Sequence, residues 1–241
     1  MKIRKRNQQL GSYIPISSQD PHSVITEQYR KLRTNIELSH FDQDIKTIAL
    51  TSTMAMEGKT VTSINLATVY AQSGLKTLLI DMDLRKPKIH RGFRVINQIG
   101  LSDMITHKLS IEETVHIVDD HLHILTSGTK LPYPAEFLMS EPLKALITEL
   151  KNHYDRIIID TPPMTAVTDA TIISSFVDGV ILVFASREAR TDVAERVIND
   201  LKTNNAKIIG SVLTRVQKRE HSYLNYTYYH YKDSTSRKTG E

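Results

Sequence analysis

Gly58-Lys59-Thr60 follows an apolar, β-branched run (Ile48 to Leu50) and precedes a helical pattern. Strand, loop, Gly-Lys-Thr and helix is the setting a phosphate-binding loop needs. Backbone N–H groups at the helix start aim at an anion, and the helix dipole favours negative charge there. In such a loop Lys59 reaches the β- and γ-phosphates and the Thr60 hydroxyl ligates Mg²⁺. The motif also asks for glycine five residues before Gly58, where this chain has Thr53. A surface turn before a helix produces the same short string.

Two other apolar runs end in carboxylates. Residues 77–80 lead into Asp81-Met-Asp83-Leu-Arg85, and Ile157-Ile-Ile159 leads into Asp160-Thr-Pro-Pro163. Asp81 and Asp83 point the same way if the strand continues through them. Paired carboxylates repel unless a cation such as Mg²⁺ lies nearby, and Arg85 is then a phosphate partner. A polar turn neutralised by Arg85, Lys86 and Arg91 explains the same residues. An Asp at the place of Asp160 holds the Mg²⁺ hydration shell in P-loop proteins. Each signal is ordinary alone; three at the carboxyl ends of three strands point to one ligand site.

The elements that must position these residues alternate. The pattern predicts strand 46–52, helix 59–73 with Gly74 as its C-cap, and a strand through 77–80. Loop and short helices come next over 86–121, opening at Gly100 and Ile111, and then a strand over 121–128. Beyond it come helix Pro134–Asn152, the strand ending at Asp160, a helix opening at Asp169, strand Gly179–Ala185, helix 190–203 and strand Lys207–Leu213. Strands alternating with helices imply an α/β domain: a mainly parallel sheet with right-handed crossovers and helices on both faces. Upstream, Ile25, Tyr29, Leu32 and Ile36 form one apolar stripe of a helix capped by Ser23. Glu27, Arg30 and Arg33 lie three apart beside that stripe. They either pair within the helix or form an intersubunit patch in which Arg binds carboxylate.

Composition narrows the class. The 241 residues are 40% hydrophobic and 24% charged, enough for one sizeable core, and there is no cysteine. That excludes disulfides and thiolate metal sites. No apolar run approaches a membrane span. His107, His116, His121 and His123 lack metal-ligand spacing. The net charge of +4 sits at the ends, with Lys2, Arg4, Lys5 and Arg6 first and six basic against three acidic residues over 215–241. The acidic body argues against a nucleic-acid groove. Residues 1–21 read as a flexible arm, 22–216 as the folded domain and 217–241 as a flexible tail. Five of the ten tyrosines (Tyr223, Tyr226, Tyr228, Tyr229 and Tyr231) crowd into nine residues of that tail. They are either hydroxyls open to a kinase or an adhesive aromatic segment.

Together these boxes resemble the bacterial protein-tyrosine kinases: Gly58-Lys59-Thr60 as Walker A, Asp81-x-Asp83-x-Arg85 as Walker A′, Asp160-Thr-Pro-Pro as Walker B, and the tyrosine cluster. Glu27-x-x-Arg30-x-x-Arg33 is similar to that family's oligomerisation helix, and Leu131-Pro-x-Pro-Ala-Glu136 to its stretch after the fourth strand. The resemblance implies a three-layer P-loop NTPase fold and MgATP-dependent tyrosine phosphorylation. It implies an ATP site over Thr53, Met54, Ala55, Met56, Glu57, Gly58, Lys59, Thr60 and Val61. Metal contacts fall to Thr60, Asp81 and Asp160. Catalytic roles fall to Lys59, Asp81, Asp83 and Arg85, with Asp81 taking the tyrosine proton. It further implies autophosphorylation of the tail across a homo-oligomeric ring, typically an octamer. The implied partners are a transmembrane activator of the polysaccharide co-polymerase type and a cognate phosphotyrosine phosphatase. The implied place is the cytoplasm, at the inner face of the membrane, in capsule or exopolysaccharide synthesis. Met56 stands where many members have glycine, which restricts the backbone there; the loop still cradles phosphates if Met56 takes a negative φ. Thr214 stands where members often carry Asn near the adenine. The fold and much of the nucleotide chemistry are shared with partition-type ATPase switches of the MinD/ParA class, although Thr53 to Met56 lack their second lysine. A nucleotide-gated scaffold with little turnover is the third reading.

Overall fold

The computed structural model describes residues 15–39 and 44–217. Its centre is a sheet of seven strands: β1 (Thr47–Ser52), β2 (Thr77–Asp81), β3 (His116–Ile117), β4 (Leu122–Leu125), β5 (Arg156–Asp160), β6 (Gly179–Ala185) and β7 (Ile208–Thr214). The order across the sheet is β3-β4-β2-β5-β1-β6-β7. Only the two-residue edge strand β3 runs antiparallel. Every residue of β1 and β2 is buried. Strands covered on both faces read as unbroken apolar runs, which is why the sequence reveals them.

Side chains alternate between two covered faces. Ile48, Leu50, Leu79 and Ile158 pack with Ile36 of α2 (Val24–Ser39) and with α3 (Lys59–Ala71). Ala49, Leu78, Ile80, Ile157 and Ile159 face the other way. They meet α5 (Leu101–Thr106), α7 (Pro134–Met139), α8 (Glu141–His153) and α9 (Asp169–Ser174). On that same side α10 (Thr191–Thr203) covers Val180 and Leu182. Helix, sheet, helix is the expected three-layer α/β arrangement. No helix among the described residues is long and apolar enough to cross a membrane.

Strand register brings the motifs to one level. Leu50 of β1 and Asp81 of β2 both pair with Asp160 of β5. The three strands that carry the phosphate and carboxylate motifs are therefore neighbours ending side by side.

Several expectations change. The helix expected over 134–152 is two helices, broken at Ser140, whose backbone is extended (φ −67°, ψ 140°). Pro142 has no N–H for the preceding turn and sits comfortably only in a first turn, so a new helix starts there. Within 86–121 the helices expected at Gly100 and Ile111 form, as α5 and α6 (Ile111–Thr114), and the chain adds α4 (Ile89–Phe93) and strand β3. Part of the expected 1–21 arm is packed: α1 (Ile16–Gln19) lies on α3, with the Ser17 N–H donating to Asn65 Oδ1 at 3.0 Å. Ser23 caps α2 as expected, accepting from Thr26 N at 3.1 Å.

Candidate active site

Asp160 is the hub. It ends β5, buried, and both carboxylate oxygens are committed to α3. Lys59 Nζ lies 2.7 Å from Oδ1, Ser63 Oγ donates to Oδ1 at 3.0 Å, and Thr60 Oγ1 donates to Oδ2 at 2.8 Å. Lys59 and Thr60 lie four and three residues before Ser63, so both neighbour it on the helix, and β5 delivers the carboxylate to them. The Lys59–Asp160 pair is buried on both sides, where removing one partner strands an uncompensated charge.

The loop before α3 is held from behind. Glu57 is buried, and its Oε2 accepts from Thr53 Oγ1 at 2.7 Å and from Met54 N at 2.8 Å. Thr165 donates its N–H and hydroxyl to the Thr53 carbonyl, at 3.2 and 2.6 Å. Thr214 Oγ1 donates to the Glu57 carbonyl at 2.7 Å, and Arg215 reaches the Met56 carbonyl while pairing with Glu188. Gly58 takes φ +92°, and a Cβ there would meet Thr214 Cγ2 at 3.1 Å. Met56 does not keep the negative φ expected of it: it sits at φ +69°, a left-handed backbone that costs a non-glycine residue energy. Met56 is 77% exposed, so no packing dictates that choice; its carbonyl accepts from Arg215. Ala55, Met56, Gly58, Lys59, Thr60 and Val61 line a cleft of about 520 Å³. Thr53, Met54 and Glu57 do not line it; they brace the loop.

The opposite wall comes from the end of β2. The strand stops at Asp81 instead of continuing through Asp83, and the two aspartates take different backbone partners. Asp81 turns inward: Oδ2 accepts from Lys88 N at 2.9 Å and Ile89 N at 3.0 Å, and Oδ1 from Asp83 N at 3.2 Å. Burial, then the Asp160 carboxylate, push its pKa up to about 7. Asp83 lines the cleft and accepts from Lys86 N at 3.0 Å. Burial raises its pKa, Lys59 opposes that and Asp160 adds to it. Arg85 also lines the cleft, but it is not a free phosphate partner. Its Nε and Nη2 donate to Asp169 Oδ2 and Oδ1 at 2.8 and 3.0 Å.

The remaining candidates lie elsewhere. Arg30 pairs with Glu27 inside α2, and Arg33 Nη1 donates to Val69 O near the end of α3 at 2.7 Å. The five tail tyrosines lie outside the described residues. Ser63, Asp169 and the bracing role of Glu57 are not evident from the sequence, because their partners are 97, 84 and 4 residues away and no short motif records them.

Among the described residues no three acidic or histidine side chains converge on one metal position. The Thr60 hydroxyl and Asp160 carboxylate are hard oxygen donors beside a lysine. They suit Mg²⁺, which keeps waters and completes its shell with phosphate oxygens. The arrangement can bind a phosphate chain, neutralise it and hold a carboxylate opposite.

Known proteins carry the same frame. Residues 45–212 match the AAA domain family AAA_31. The chain is 39% identical over 239 residues to tyrosine-protein kinase YwqD of Bacillus subtilis, covering 99% of this chain and 100% of that protein. It is 36% identical to the putative tyrosine-protein kinase CapB of Staphylococcus aureus over 88% of this chain and 93% of that one. Among solved structures, the kinase domain of Escherichia coli tyrosine kinase ETK superposes with a TM-score of 0.79 at 29% identity, covering 90% of this chain and 86% of that one. The chain belongs to the AAA-domain P-loop proteins and, within them, to the bacterial tyrosine-protein kinases.

Proposed function

We propose that this protein is a MgATP-dependent protein-tyrosine kinase that phosphorylates Tyr223, Tyr226, Tyr228, Tyr229 and Tyr231. The observation that carries the reading is the facing of two walls across one cleft. Lys59 and Thr60, both hydrogen-bonded to the buried Asp160 behind them, line it on one side, and Asp83 with Arg85 on the other. Lys59 and the loop amides hold the β- and γ-phosphates. Thr60 and Asp160 hold Mg²⁺, which when bound neutralises charge shared by those phosphates. The tyrosine oxygen attacks the γ-phosphorus, the bond to the bridging β–γ oxygen breaks, ADP leaves, and the phenolic proton passes to a carboxylate. Asp83 suits that role better than Asp81, whose oxygens are occupied by three backbone N–H groups. Asp81 instead fixes the turn that presents Asp83.

The family resemblance supports the wider setting: a ring of copies whose contacts draw on Glu27, Arg30 and Arg33, and a transmembrane activator that brings the kinase to the inner membrane face. A cognate phosphatase resets it, and the output is control of capsular or exopolysaccharide synthesis and export. Glu27 and Arg30 are partly exposed, so their in-helix pair is open to exchange for an intersubunit one. Each phosphate adds about −1.5 to −2 charge, and repulsion among modified tails loosens such a ring.

The test is incubation with ATP and Mg²⁺, with and without the activator's cytoplasmic segment, and phosphosite mapping by mass spectrometry. Phosphate on the tail of wild type, absent from Lys59→Met, is the expected result. Steady ATP hydrolysis stimulated by lipid or DNA, without phosphotyrosine, favours the MinD/ParA-type switch. Binding without turnover favours the scaffold.

A further inference from the structure

Asp169 is the first residue of α9 and its side chain has no exposed surface. Yet it holds no helix cap: both oxygens go to Arg85, 84 residues away. The contact is side-on, through Nε and Nη2. The guanidinium is planar, so its orientation is fixed once that edge is fixed. Among the described residues Nη1 has no protein partner. It lies on the edge away from Asp169, in a residue that lines the cleft together with Lys59 and Asp83. The anchor itself is packed and hydrogen-bonded on both sides. Ala170 and Ile173 beside it are buried, and the preceding loop is pinned to the phosphate loop by Met164 N to Ser52 O at 2.8 Å and by Thr165 to Thr53 O. Glu136 of α7 adds a second negative field to the Arg85 side chain.

We propose that Asp169 is a positioning residue of the phosphotransfer. Its buried carboxylate holds Arg85 edge-on, so that the remaining N–H groups face the cleft as a preset clamp for the phosphoryl group in transit. The inference rests on the kinase reading of the cleft. It adds a residue outside the three nucleotide boxes and explains why Arg85 is paired yet still useful. An arginine free to turn would lose the transition-state geometry on which such clamps depend.

The test uses the full chain and MgADP with aluminium fluoride, which mimics the phosphoryl group in flight. Wild type should bind MgADP more tightly when fluoride complexes are present. Asp169→Asn should lose about tenfold or more of that tightening, while its affinity for MgADP alone moves less than about twofold. Arg85→Ala should lose the same amount, and the double variant no more than Arg85→Ala. Equal loss of MgADP affinity, full tightening in Asp169→Asn, or additive losses in the double variant overturn the proposal. If Asp169→Asn fails to melt cooperatively, Arg85→Lys keeps the charge and removes the fork. It should lose the tightening, and wild-type behaviour there also overturns the proposal. Failure of the kinase reading is separable: fluoride tightening that depends on Asp169 with no phosphotyrosine formed sinks that reading alone. Phosphotyrosine formed without any tightening in wild type sinks the clamp alone.

Discussion

Replacing Thr53 with the glycine that a standard phosphate loop carries should weaken this one. Thr53 is fully buried and is not among the residues with positive φ, so its backbone needs no glycine. Its hydroxyl donates to the Glu57 carboxylate at 2.7 Å. A hydrogen bond to a charged group is worth about 1.5–3 kcal/mol, and glycine costs a further 0.5–1 kcal/mol or so in backbone entropy. The sum for Thr53→Gly is about 2–4 kcal/mol. In a chain of this size each kcal/mol moves the midpoint by roughly 2–4 °C, so the melting temperature should fall by about 5–15 °C. Glu57 keeps Met54 N as a partner at 2.8 Å, so the cradle loosens without being lost. If about 1.4 kcal/mol of the loss falls on the binding-competent loop, nucleotide affinity drops about tenfold. Differential scanning fluorimetry and a fluorescent ATP analogue measure both quantities. A Thr53→Gly protein that melts no lower and binds ATP as tightly as wild type would refute the bracing argument.

Met56→Gly should do the reverse: φ +69° costs methionine roughly 1 kcal/mol, the exposed residue gives up little packing, and a rise of about 2–4 °C in melting temperature is expected. Asp178→Ala should cost about 2–4 kcal/mol, because Asp178 Oδ2 accepts from the buried Thr47 N–H and hydroxyl, both at 2.8 Å, and Oδ1 accepts from Lys151. Burial raises the Asp178 pKa, but Lys151 and Thr47 outweigh it and the net shift is downward. A depressed folded-state pKa gives stability that is fully present above the unfolded value of about 4 and is lost as pH falls through the folded one. The wild-type advantage in urea melts should therefore be constant from pH 5 upward and shrink below pH 4.

What the sequence shows and what it hides divide along physical lines. The central strands are legible because burial on both faces demands runs such as Ile157 to Ile159. The phosphate loop and the two carboxylate ends are legible because their spacing is local. The break at Ser140 is legible in principle from Pro142, whose missing N–H outweighs the amphipathic pattern across it. The two-residue strand β3 is too short to leave a period. The direction of Asp81 depends on where β2 stops, which neighbouring strands decide. Arg85 to Asp169 and Thr47 to Asp178 join residues 84 and 131 apart, and nothing in either local stretch announces the other. The loop around Met56 meets partners from the far end of the domain, Arg215 on the Met56 carbonyl and Thr214 on that of Glu57.

The insertion of β5 between β1 and β2 also sets the order in which competence arrives. β1 and β2 lie within the first 81 residues but do not pair with each other; each pairs with β5, which ends at residue 160. A chain emerging from the ribosome holds its phosphate loop and its paired aspartates long before the strand that joins them exists. Until then both strands offer open edges, and closing them requires contacts 79 to 110 residues apart, the slow kind. Nucleotide binding is thus expected to appear late in folding, and ATP retention during refolding would report the docking of that single central strand.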